Sequence, residues 1–76
     1  MEVLLAQQAL RQAFVDRTGV EPERFEGEIA ALVQMYERGQ EVAAHSSAAR
    51  ALGWRARVAL RDPEVRRLWR AYRSLR

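Results

Sequence analysis

Residues 54–76 read WRARVALRDPEVRRLWRAYRSLR, and this stretch decides the fold. Asp62-Pro63-Glu64 marks a helix start: an N-cap acid, a proline at the first helical position where its missing N–H is not needed, and a glutamate beside the positive end of the helix dipole. Val65, Leu68, Trp69, Tyr72 and Leu75 follow at i, i+3, i+4, i+7 and i+10. That spacing predicts an amphipathic helix over 63–75, with Trp69 and Tyr72 facing the core. Trp54 to Arg61 is expected as a shorter helix over 54–61.

Working outward, the same period recurs along the chain. Val3, Ala6, Ala9, Leu10, Ala13 and Phe14 form a stripe separated by Gln7, Gln8, Arg11 and Gln12, which predicts a helix over 2–17 ended by Gly19. Pro22 opens a second helix, expected over 22–38, whose stripe is Phe25, Ile29, Leu32, Val33 and Tyr36 and whose stop is Gly39. Glu21, Glu23, Glu26 and Glu28 are read as acids favoured near a helix start rather than as a catalytic cluster, with Glu23 and Glu26 facing solvent. An alanine-rich third helix is expected over 40–52, with Val42, His45, Ala49 and Leu52 inward and Gly53 at its end. Strand alternation and hairpin turn pairs are absent. The expected fold is all-α: a single domain, residues 1–76, built as a bundle of four to five short helices.

Composition narrows the function. A 76-residue chain has room for one small core and buries only about 60% of its unfolded surface. With 49% apolar residues it has enough hydrophobic material to fold. The chain has no cysteine and a single histidine, His45, so thiolate metal sites and disulfides are excluded. Ser46 and Ser47 follow His45 but point in other directions on a helix, which removes a dyad. No phosphate loop, zinc motif or calcium loop is present, so neither an enzyme nor a cofactor or metal is expected. The first residues lack a basic leader, and no run is long and apolar enough to span a membrane. The expected location is cytoplasmic, or phage-associated in a bacterial host.

Charge points to binding. Residues 1–38 carry seven acids and four arginines, net −3, and residues 39–76 carry three acids and nine arginines, net +6. All thirteen basic residues are arginine. Codon bias produces such a skew, as does selection for planar donors that grip phosphate or carboxylate. Arg66, Arg70 and Arg73 lie at i, i+4 and i+7, an outward ridge able to track phosphates.

The order Gly39, Val42-Ala43-Ala44, Ala48-Ala49-Arg50-Ala51-Leu52-Gly53, Arg55-Ala56-Arg57-Val58 and Arg61-Asp62-Pro63-Glu64-Val65 resembles the helix-turn-helix of phage and bacterial DNA-binding proteins, including small terminase subunits. The chain departs from that pattern where Trp54 and Arg55 replace the usual Ser or Thr cap. The resemblance, over residues 39–72, implies that Arg55, Arg57 and Arg61 belong to a recognition helix or its edges and that Arg50 flanks it. The candidate contact set is therefore Arg50, Arg55, Arg57, Arg61, Arg66, Arg70 and Arg73, with nucleic acid, DNA first, as the partner. The competing expectation is a protein-interaction module: a phage assembly or virion component, or a small inhibitor, docking an acidic surface. The opposed charges of the two halves would also suit a head-to-tail homo-oligomer. A membrane-surface role ranks last, because the stripe of the last helix is needed by the core.

Overall fold

The computed structural model describes residues 2–41 and 46–75. They form α1 (Glu2–Thr18), α2 (Glu26–Glu37), α3 (Ser47–Leu52), α4 (Trp54–Leu60) and α5 (Pro63–Ser74), with no strand among the described residues. The chain is a small all-α bundle. α1 and α5 lie side by side and antiparallel: Arg17 reaches Asp62, and Phe14 packs against Trp69 with the rings tilted by 39° and their centroids 5.6 Å apart. α2 packs on α3 and α4, and α4 touches each of the other helices. The core is filled by Phe14, Ile29, Leu32, Leu60 and Val65, all without exposure. Trp69 and Tyr72 join it, as their spacing on α5 requires.

Each helix end has a local cause. Thr18, buried at the end of α1, donates its hydroxyl to the Phe14 carbonyl at 2.8 Å and accepts the Val20 N–H at 3.3 Å. Gly19 follows at φ +75°, its N–H on the Val15 carbonyl. α2 ends in a Schellman arrangement, with Gly39 at φ +71° donating to Tyr36 and Gln40 donating to Met35. Asp62 caps α5 as its position predicts, its carboxylate accepting the Glu64 N–H at 2.9 Å.

Two helix starts differ from the sequence expectation. Pro22 is fully buried in a turn spanning 22–24, and α2 begins only at Glu26. Phe25, at φ −130° and ψ 33°, leaves the helical region and separates that turn from the helix. The third helix begins at Ser47 rather than at 40, because Gln40 closes the α2 cap and Ser46 is extended, its hydroxyl accepting the Ala49 N–H at 3.2 Å. Val42 and His45 lie outside the described residues. Ala49 and Leu52 are buried as expected.

The first turns of α1 also depart from expectation. Only Phe14 of the predicted stripe is fully buried; Leu10 and Ala13 are half-buried, and Val3 is 59% exposed. Arg11 of α1 pairs with Glu23, which also bonds the Tyr72 hydroxyl near the end of α5. α1 therefore runs past the end of α5, and Val3, Leu4 and Leu5 project beyond the body.

Candidate nucleic-acid interface

The seven arginines singled out by the sequence separate into groups with different work. Arg55 turns toward α1: its guanidinium donates to the Asp16 carbonyl at 2.8 Å and lies against Gly19. Asp16 is in the last turn of α1, whose carbonyls lack helical partners, so Arg55 caps that helix. Arg50 is exposed on α3.

The others gather where the C-terminal ends of α2 and α4 meet α5. The Tyr36 hydroxyl donates to the Arg57 carbonyl at 3.1 Å, which ties α2 to α4. Arg66 donates to the carbonyls of Leu60 and Arg61 at 2.9 and 2.8 Å, closing the end of α4. Arg70 pairs with Glu37 at the end of α2. Those three contacts bring Arg57, Arg61, Arg66 and Arg70 around one seam, with Arg73 a turn further along α5.

Arg66 therefore corrects the sequence expectation of an outward ridge. It is half-buried and spends its Nη1 on the end of α4, while Arg70 and Arg73 remain exposed. The cause is the single-turn link at 61–62, which leaves α4's last carbonyls within reach of the first turns of α5. Arg73 lies over the Trp69 ring at 5.3 Å, a cation–π contact that fixes where its charge is displayed. The Nε groups of Arg57 and Arg66 are buried without a hydrogen-bond partner among the described residues.

α4 adds an apolar element to this basic surface. Trp54 is 71% exposed and Val58 42% exposed. Helical spacing places Trp54, Arg57, Val58 and Arg61 on one flank, opposite the buried Ala56 and Leu60. Trp54 is thus the aromatic that faces solvent, whereas Trp69 and Tyr72 are buried.

Acids and arginines of the two halves interdigitate rather than forming two opposed poles. Arg17 of the acidic half bonds Asp62 at 2.7 Å, and Glu37 takes Arg70. The Glu64 backbone N–H, and after it the Arg17 guanidinium, hold the Asp62 carboxyl below the usual carboxylate range. Around the seam Glu37 and Asp62 are set against Arg57, Arg61, Arg66, Arg70 and Arg73, so the surface keeps a net positive charge. No grouping of three His, Asp or Glu side chains with metal-site geometry occurs among the described residues. No helix among them is long and apolar enough to cross a membrane.

Comparisons with family models, curated proteins and solved structures gave no match to this chain.

Proposed function

We propose that this is a non-enzymatic nucleic-acid-binding protein that grips the phosphate backbone with the exposed flank of α4 and the adjoining ridge of α5. The observation that carries the reading is the exposure of Arg61, Arg70 and Arg73 beside the seam that Arg66 closes between α4 and α5, with an exposed Trp54 on the adjoining flank of α4. Guanidinium groups at helical spacing can meet successive phosphates, and their contact releases counterions. Trp54 supplies a flat ring for stacking on a base or sugar. Arg55 belongs to the scaffold in this reading, and Arg50 to the edge of the surface. The helix-turn-helix resemblance supports the same assignment for α4, with Gly53 as the turn and duplex DNA as the first substrate to test. A bacterial cytoplasm, or a phage-infected cell, is the setting that goes with it.

A docking module for an acidic protein surface is the second reading, favoured by the exposed Val58 beside Trp54. Trp54 separates the two by experiment. Trp69 is buried, so Trp54 dominates any solvent-sensitive fluorescence. Titration with duplex DNA at low salt is expected to quench it, and the quenching is expected to reverse on adding salt. Absence of quenching and of measurable affinity for duplex DNA refutes the first reading.

A further inference from the structure

Glu37 stands in the last turn of α2, where the carbonyl ends of a helix disfavour an acid and favour a base. α2 has no basic residue in that turn. Its end is nonetheless fixed: the Tyr36 hydroxyl donates to the Arg57 carbonyl at 3.1 Å, and the Arg38 and Gly39 N–H groups close the turn on Gln34 and Tyr36. A carboxylate held at that place calls for a cation, and Arg70 of α5 supplies one through Nη2. The two partners are unequally covered. The Glu37 side chain is 27% exposed, whereas Arg70 leaves 61% of its side chain open. A guanidinium carries five N–H donors, so Arg70 faces solvent with donors to spare while the acid is the more sheltered of the two.

We infer, on the nucleic-acid reading of this surface, that Glu37 is a built-in competitor for it: the carboxylate occupies Arg70 as a phosphate would, and lowers affinity for nucleic acid through that one guanidinium. Among the described residues, the three exposed arginines assigned to phosphate contact differ in this respect. Arg70 holds Glu37, Arg73 lies over the Trp69 ring, and Arg61 is exposed at the end of α4. A phosphate that reaches Arg70 either displaces the carboxylate or shares the guanidinium with it against like-charge repulsion. Both routes reduce what Arg70 contributes.

The competition also selects among anions. A single free phosphate meets a carboxylate that is tethered beside the guanidinium and so is always present at high effective concentration. A continuous backbone that also engages Arg61 and Arg73 brings its next phosphate to Arg70 tethered in the same way, and displaces the acid where a lone phosphate does not.

Anisotropy of a labelled duplex at low salt, measured on the full chain with a double exchange, tests this. Releasing an exposed ion pair corresponds to a factor of about two to five, so Glu37→Gln should bind duplex DNA about two- to fivefold more tightly than the parent. With Arg70→Gln already in place the same exchange should change affinity little, because the guanidinium it would free is gone. Circular dichroism should keep its helical signal throughout, since glutamine preserves the side chain's length and relieves the end of α2 of its acid. Equal tightening with and without Arg70 overturns the inference, for Glu37 then acts only as one more repelling charge. So does a Glu37→Gln variant that binds no more tightly than a parent that does bind, an outcome that leaves the nucleic-acid reading standing. If neither parent nor variant binds duplex DNA, that reading fails and the inference falls with it.

Discussion

Arg55 lies in the first turn of α4 and Arg61 caps its end; Arg55 is held by α1 whereas Arg61 is exposed, and exchanging each for glutamine separates scaffold from contact. Arg55 donates to the Asp16 carbonyl at 2.8 Å and so satisfies the last turn of α1. An exposed charge-assisted hydrogen bond of this kind contributes about 1 kcal/mol, part of it from the cation's attraction to the negative end of the helix dipole. In a domain of this size 1 kcal/mol moves the melting temperature by about 4–8 °C. Arg55→Gln is therefore expected to melt about 4–8 °C lower by circular dichroism and to bind duplex DNA as the parent does once folded. Arg61, exposed at the end of α4, has the reverse expectation: an unchanged melting temperature and weaker binding in fluorescence anisotropy. If Arg55→Gln keeps its melting temperature and loses affinity as Arg61→Gln does, the division into scaffold and contact arginines is wrong.

Other consequences are more local. Gly53 joins α3 to α4 at φ +86° and ψ 172°, a region open only to glycine, so Gly53→Ala should cost about 1–3 kcal/mol in urea unfolding. Leu60 is fully buried at the centre, and Leu60→Ala should remove about 2–5 kcal/mol from a total of about 4–11, leaving a marginal fold whose urea midpoint reports the loss. Acid should loosen the α1/α5 junction. Asp62 is held below the usual carboxylate range by the Glu64 N–H and by Arg17; burial raises Glu23, but the hydrogen bonds from Arg11, its own backbone and Tyr72 outweigh it and hold it low as well. Folded-state values below the unfolded ones mean stability that is present above about pH 4 and is lost as pH falls through the folded values. Melting temperature should thus decline below about pH 4, and less steeply in Asp62→Asn.

The sequence is legible where a helix is specified by its own residues. Asp62-Pro63-Glu64 places the start of α5, and Gly19, Gly39 and Gly53 all adopt the positive φ that their positions after helices suggest. The stripes of α2 and α5 name most of the core. The start of α2 is hidden because it depends on Pro22 and Phe25 turning inward against other helices. The shortness of α3 follows from the Gln40 cap and the extended Ser46, a competition among caps that helical periodicity does not reveal. Within the candidate site, position along the chain marks Arg57, Arg61, Arg70 and Arg73 as solvent-side residues. It does not reveal that Arg55 closes α1 or that Arg66 closes α4, because those roles require carbonyls brought near by tertiary packing. Thr18 carries no signal either; its hydroxyl is buried by bonding one turn back to Phe14 and forward to Val20.

The salt dependence of duplex DNA binding tests the central claim most directly. Anisotropy of a labelled duplex, measured over a range of salt concentrations, yields the slope of log affinity against log salt. The parent should show a steep negative slope, and replacing Arg61, Arg70 and Arg73 with glutamine should reduce its magnitude by about 0.9 for each phosphate that is no longer neutralised. Arg55→Gln should leave it unchanged. Undetectable affinity at low salt, or a slope that the triple replacement does not alter, would contradict the account.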